Sequence, residues 1–347
     1  MNMRILVTGH RGYIGTVMVP MLLQAGHEVV GLDSDLYERS TFIDNISVIP
    51  EIKKDVRDVE ICDLRGFDAI IHLAALSNDP LGDLNPRLTF QINHLASVRL
   101  ATFAKQARVR RFIFSSSCSN YGAAGSSIMN EGSSLNPVSP YGISKMLVER
   151  DVRALASPEF SPVFMRNGTA YGVSPRHRFD LVLNNLVAWA FTTKRIYIKS
   201  DGTPWRPMIH VEDIARAFLF VLEAPKAAIH NETYNVGSNK ENYQIRDLAE
   251  IVADTVPGAH VEFAADAGPD SRSYRVDFRK IQRDLPGFRP QWTVKLGAQQ
   301  LLASYQEVGL ALEDFEGTRF KRVAQLKELL GTGRIDETLR WKTPLAA

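Results

Sequence analysis

The chain predicts an α/β fold, a doubly wound parallel sheet with a smaller, discontinuous α/β lobe, and three observations support this. Strand and helix signals alternate up to about residue 172, the pattern of right-handed βαβ units with helices on both sheet faces. Residues 4–7, Arg-Ile-Leu-Val, form a short apolar run, read as a strand buried on both faces. Gly9, Gly12 and Gly15 follow at once and lead into a helical pattern through Val17, Val19, Leu22 and Leu23.

A glycine trio at this junction lets the backbone turn tightly, approach a pyrophosphate and pack the helix close to the strand. The N–H groups of the helix start then face the phosphates. The spacing is Gly-x-x-Gly-x-x-Gly, not the Gly-x-Gly-x-x-Gly of the usual dinucleotide fingerprint. A second apolar strand over 28–32 ends in Asp33, 18 residues beyond Gly15, where a carboxylate accepts the hydrogen bonds of an adenosine ribose. Asp33 would repel a 2′-phosphate, so the cofactor reads as NAD, not NADP. Arg11 would serve NADP if it faced the phosphates; a surface loop charge is the plainer reading. The cofactor set is therefore Gly9, Arg11, Gly12, Tyr13, Ile14, Gly15 and Asp33. Asp55 and Val56 join it beside the adenine, and Leu73, Ala74 and Ala75, after His72, beneath the cofactor. This is a Rossmann-type arrangement.

The run Pro140-Tyr141-Gly-Ile-Ser-Lys145 puts a phenol and an ammonium four residues apart, stacked on one helix face. Tyrosine, with a pKa of ~10, is a poor base at neutral pH, and a cation held beside it favours the phenolate. An ordinary solvated helix face has the same spacing, so the rest of the chain decides the meaning.

The glycine trio, Asp33, His72-Leu-Ala-Ala75, Phe114-Ser115-Ser116-Ser117 and Tyr141-x-x-x-Lys145 stand in the order found in the extended short-chain dehydrogenases/reductases. Over roughly residues 3–300 the chain resembles the NAD-dependent nucleotide-sugar epimerase/dehydratase family, the group of the UDP-galactose 4-epimerases. The resemblance implies a catalytic group of Ser117, Tyr141 and Lys145. It adds Asn93, within a helix over 88–107, to the cofactor side as a support for the active-site helix; a polar residue satisfied within a helix pair is the alternative. Arg206-Pro-Met-Ile-His-Val211-Glu-Asp213 matches the family's Arg-x-x-Ile-His-Val-x-Asp segment, whose Arg contacts the substrate diphosphate, a task suited to a guanidinium. Ser77, Ser117, Cys118, Asn167 and Thr169 complete the near side of the implied substrate site. Arg272 with Asp270 is a second diphosphate or ribose candidate, or else a surface charge, because Ala267 replaces the family's usual Arg. Thr169 replaces an Asn, and Asn184 or Asn185 is the candidate replacement amide.

The family's 4,6-dehydratases carry Asp-Glu directly after the catalytic Ser/Thr. Here those positions are Cys118 and Ser119, poor substitutes for a tuned carboxylate pair, so dehydration is disfavoured. The implied reaction is oxidation at C4 of a nucleoside-diphosphate sugar. It ends as 4-epimerisation or, alternatively, as net hydride transfer by a 4-dehydrogenase or 4-ketoreductase. Intact Ser117, Tyr141 and Lys145 argue against a non-enzymatic NAD sensor.

Hydrophobic residues at 45% and charged residues at 23% suit a globular enzyme. A net charge of +2 spread along 347 residues leaves no nucleic-acid footprint. Cys62 and Cys118 have no metal spacing and fit a reducing cytoplasm. No apolar run approaches the ~20 residues of a membrane span, and the early first strand leaves no room for a signal peptide. The expected division is 1–172 plus about 207–236 for the NAD domain, and about 173–206 plus 237–347 for the nucleotide-sugar lobe and tail. Residues 123–140 read as a loop, and the tail from about 310 as a cover for the core or a partner. The resemblance also implies a homodimer through the helices holding Asn93 and Tyr141.

Overall fold

The computed structural model describes residues 2–268 and 272–342. In chain order its strands are β1 (Arg4–Thr8), β2 (Glu28–Asp33), β3 (Glu51–Lys53), β4 (Ala69–His72), β5 (Arg111–Ser117), β6 (Ala123–Met129) and β7 (Ser161–Asn167). Then come β8 (Thr169–Tyr171), β9 (Arg195–Ser200), β10 (Trp205–His210), β11 (Thr233–Val236), β12 (Asn242–Gln244), β13 (His260–Gly268) and β14 (Ser273–Val276). Seven of them form one parallel sheet in the order β11-β7-β5-β4-β1-β2-β3. Strand order reverses between β1 and β4, and in such sheets ligands bind in the crevice at the carboxyl ends of the strands flanking that point.

The apolar run of β1 serves two cores. Ile5 and Val7 pack with Met18, Leu22, Ile214 and Phe218 on one face, and Leu6 packs with Ile70, Leu100, Phe112 and Val148 on the other. A strand buried on both sides has no polar face to show, which is why it reads as a continuous apolar stretch. The helix Val211–Glu223 and β11 return to this layer. A third core, with Tyr171, Leu183, Val187, Ile196, Leu248 and Leu301, lies beneath the smaller lobe.

Three expectations are corrected. Residues 123–140 are not simply a loop: β6 pairs with β14 across about 150 residues of chain, beyond the reach of a local pattern. The 88–107 helix is interrupted by a π turn, Phe90–Leu95, that carries Asn93. The domain division is less simple than 237–347 as one lobe. Ile281 of the helix Arg279–Asp284 belongs to the core of the seven-stranded sheet. The tail is shared, with Phe315 and Phe320 in the smaller lobe and Leu326, Leu329, Ile335 and Leu339 against the larger one.

Candidate functional site

A cleft of about 840 Å³ opens at the strand reversal. On one side lies the glycine turn. Gly9 has φ +76°, and a Cβ there would sit 2.7 Å from the Ala74 nitrogen. A Cβ on Gly15 would stand 2.5 Å from the Gly9 and His10 carbonyl oxygens. The helix Gly15–Gln24 starts here and turns its positive end toward the cleft, the N–H groups of Thr16, Val17 and Met18 being already bonded to the Gly12 and Ile14 carbonyls. Gly12, Tyr13 and Ile14 line the same wall, with the Tyr13 hydroxyl anchored on the Gly172 carbonyl at 2.7 Å.

Asp33 accepts the Arg11 and Asp35 N–H groups at 3.0 and 2.9 Å. The Arg11 side chain lines the cleft and is not a free surface charge. Its guanidinium grips Glu51 at 2.7 and 2.9 Å, with Asp35 3.5 Å away. Asp33 and Asp35 line this end of the cleft side by side, a pair of carboxyl groups that disfavours a 2′-phosphate. Burial pushes Asp35 up to about 6 despite Arg176, and the hydrogen bond from Arg11 holds Glu51 low. Leu73, Ala74 and Ala75 form the floor, and Val56 and Asp55 the far wall. The Asp55 carboxylate is engaged with Arg57, at 2.9 and 2.6 Å. A cradle that a Cβ would fill, beside a ribose carboxylate, fits a dinucleotide.

The helix Pro140–Arg153 enters the cleft with Ser139 capping it through the Gly142 N–H at 3.2 Å. Tyr141, Lys145 and Glu149 follow at intervals of four, on one face. Lys145 Nζ donates to the Ser115 carbonyl at 2.7 Å and stands 5.8 Å from the centre of the Tyr141 ring. The Ser117 hydroxyl bonds to the Ser119 hydroxyl at 3.0 Å and accepts its N–H at 3.1 Å. Burial pushes the Tyr141 phenol up to about 12; a hydrogen bond with Ser117 and the charge of Arg178 pull it down, while Asp79 and Tyr274 oppose them. Burial also brings Lys145 down to about 7, against the pull of Glu149. Desolvation is the largest influence on the phenol, and Lys145 is not among the groups that lower it in this state.

Beneath the helix, His72 is held neutral, with burial and Lys145 bringing it down to about 3. Ser97 donates to the Asn93 carbonyl at 2.6 Å, so it accepts from His72 Nε2 at 2.7 Å, and His72 Nδ1 accepts the Thr8 hydroxyl at 2.6 Å. Asn93 is buried off the cleft wall, which corrects its assignment to the cofactor set. Its amide oxygen accepts Leu76 N–H at 2.8 Å, and its NH₂ donates to the Leu76 carbonyl at 3.0 Å and the Ser144 hydroxyl at 3.2 Å. It ties the loop after β4 to the helix of Tyr141.

On the opposite side, Ser77, Asn167, Thr169, Asn185, Arg206 and Arg272 line the cleft. Asn167 donates to Ser115 Oγ at 3.0 Å, and its buried amide oxygen has no partner among the described residues. Arg206 lies 6.0 Å from the centre of the Tyr274 ring and donates to the Trp205 carbonyl at 2.9 Å and to the Arg272 carbonyl. Arg272 pairs with Asp79 at 2.7 Å. Asp270 falls outside the described residues. Two substrate assignments are corrected. Asn184 is buried off the wall, bonded to Gly172 N–H and the Arg178 carbonyl, both at 3.0 Å, so Asn185 is the amide that reaches the cleft. Cys118 is buried off the wall, its thiol donating to the Arg166 carbonyl at 3.2 Å and pushed far up by desolvation.

Tyr274, Asp79, Arg178 and Asp180 also line the cleft and had no motif to announce them. Arg178 holds Asp180 at 3.0 and 2.6 Å and Ser77 Oγ at 3.0 Å. In the Ile-His-Val-x-Asp stretch, His210 stacks on Trp292 at 4.0 Å and Asp213 accepts two backbone N–H groups, so Arg206 alone carries that motif into the cleft.

Residues 5–237 match the model of the NAD dependent epimerase/dehydratase family. The chain is 26% identical to a UDP-glucose 4-epimerase of Bacillus subtilis, over 87% of this chain and 95% of that one. Among solved structures it is similar to MoeE5 in complex with UDP-glucuronic acid and NAD, with TM-score 0.76 and 27% identity over 88% of this chain and 99% of the other. It is also similar to the dTDP-glucose 4,6-dehydratase DesIV of Streptomyces venezuelae with NAD bound, with TM-score 0.75 and 28% identity over 88% and 97%.

Proposed function

The chain belongs to the NAD-dependent epimerase/dehydratase family, and on that premise we propose that it is a nucleotide-sugar 4-epimerase working through a 4-keto sugar. The observation that carries this reading is the meeting of Ser117, Tyr141 and Lys145 with the glycine turn and Asp33 in one cleft, without a carboxylate pair after Ser117. The glycine turn, Asp33 and Lys145 would hold NAD. When bound, its nicotinamide supplies the hydride acceptor and donor.

Ser117 holds the C4 oxygen of the sugar and steadies it as it becomes a carbonyl. Tyr141 as phenolate takes the hydroxyl proton, and the phenol so formed returns it to the same oxygen when hydride comes back. Lys145, buried beside the ring, stabilises the phenolate when protonated. Arg206 binds the substrate diphosphate, with Arg272 as a second ligand, and Ser77, Asn167, Thr169 and Asn185 contact the rest of the nucleotide sugar. Turnover of the keto sugar within the pocket exposes its other face and yields the 4-epimer. Cys118 is buried as a thiol and Ser119 is a hydroxyl, which supports no acid/base pair for loss of water across C5 and C6. We also propose a homodimer through the helices that hold Asn93 and Tyr141, residues 86–106 with their π turn and Pro140–Arg153; the exposed Leu95 on the first of them supports self-association, which sedimentation tests.

The test is incubation with NAD and a panel of UDP-, dTDP-, GDP- and CDP-sugars. The reading expects a 4-epimer without net NADH. Accumulating NADH would make the protein a 4-dehydrogenase, and a 4-keto-6-deoxy product would make it a dehydratase.

A further inference from the structure

The C-terminal tail lies largely outside the family match and crosses from one lobe to the other. Phe320 packs on Phe42 and Phe179, with ring centres 5.9 and 5.3 Å apart, within the core of the smaller lobe. Gln325 accepts the Ser40 hydroxyl at 2.8 Å, and Trp341 Nε1 donates to the Ser34 carbonyl at 2.7 Å, on the loop that leaves β2. Between these anchors, Lys321, Arg322 and Val323 line the cleft.

Arg322 is 5% exposed, yet its Nε and Nη2 have no hydrogen-bond partner among the described residues. Its guanidinium lies 4.3 Å from the centre of the Tyr37 ring, and the buried Tyr37 hydroxyl is also unpartnered. A buried cation without an anion is costly. Burial and neighbouring Arg178 bring it down to about 10. Its field is felt with those of Asp33 and Asp180, and Arg178 in turn acts on Tyr141. Arg322 and Arg178 line the cleft together with Asp33 and Tyr141. A dinucleotide running from Asp33 to Tyr141 passes its diphosphate through the middle of that cleft, along the glycine turn.

We propose that the tail is a strap over the cofactor and that Arg322, with Arg178 behind it, binds the diphosphate of NAD from the side facing away from the glycine loop. Charge-assisted hydrogen bonds from a planar guanidinium suit phosphate oxygens, and the two unpartnered nitrogens, Nε and Nη2, are the donors. The inference rests on NAD binding and is independent of the sugar chemistry, so failure of the epimerase reading would leave it standing.

The experiment compares wild type, Arg322→Lys and Arg322→Met by calorimetric titration and by melting with and without ligand. Removing a buried, unpaired cation should leave the melting temperature of the cofactor-free protein unchanged or raise it, while NAD affinity falls about 10- to 100-fold in Arg322→Met and less in Arg322→Lys. ADP-ribose should lose affinity as NAD does, and adenosine should lose little. The proposal is overturned by unchanged NAD affinity, by a fall in both ligand-free stability and affinity (a packing role), or by an equal loss for adenosine (a ribose or adenine contact). A larger loss for NADP than for NAD would place the guanidinium at the 2′ position and overturn it too.

Discussion

On the cofactor side of the cleft, recognition is built largely from backbone. Gly9 and Gly15 leave no room for a Cβ, the helix presents its positive end, and Asp33 stands at the end of the next strand. On the substrate side it is built from side chains brought together over long stretches of chain: Asp79 meets Arg272, 193 positions away, and Arg206 meets Tyr274 once β14 has paired with β6. A backbone site tolerates little change in its loop and much elsewhere. A side-chain site can be retuned one residue at a time, which suits a fold that hosts many chemistries.

Tyr141→Phe should break the comparison most sharply. It keeps the ring and removes the acid/base group, so turnover should fall ~10²-fold or more while NAD affinity holds; near-normal turnover would remove Tyr141 from its role. Arg206→Ala should raise KM for the nucleotide sugar ~10-fold with NAD affinity unchanged, whereas equal losses would indicate damage to the fold. Asp33→Ala should lower the preference for NAD over NADP by ~10-fold at most, because Asp35 lines the same part of the cleft and still repels a 2′-phosphate. An unchanged ratio would mean that Asp33 does not meet the ribose.

The smallest effect is on stability. Burial lowers Lys145 from 10.5 to about 7. As pH falls through that window the unfolded chain takes up a proton that the folded one does not, so stability is lost from pH 10.5 down to about 7 and is level below. Lys145→Met should therefore raise the melting temperature at pH 7 by roughly 2–5 °C, with the gain vanishing toward pH 10.5. Calorimetry across that range checks it; a lower melting temperature at pH 7 would mean that the bond to Ser115 outweighs desolvation.

How legible each part was in the sequence follows from the distance over which its interactions act. The strand, glycine turn and helix at residues 4–24, the carboxylate at Asp33 and the pairing of Tyr141 with Lys145 were readable because period, turn chemistry and helical spacing are local. The same locality misled at Cys118, Asn184 and Asn93. Each is adjacent to a wall residue, yet the helical turn after β5, helix rotation or the π turn sends the side chain inward. Arg11 was misread because its partner, Glu51, lies 40 residues away on β3.

What the sequence by itself determined is the sheet, the dinucleotide turn and the identity of the phenol, ammonium and hydroxyl, since each depends on neighbours within one structural unit. Tertiary structure alone decided which amide and which arginines face the cleft, how far burial raises the phenol, and that the tail returns to lay Arg322 over it. Those outcomes depend on strand pairing and desolvation between segments far apart in the chain, and no local pattern records either.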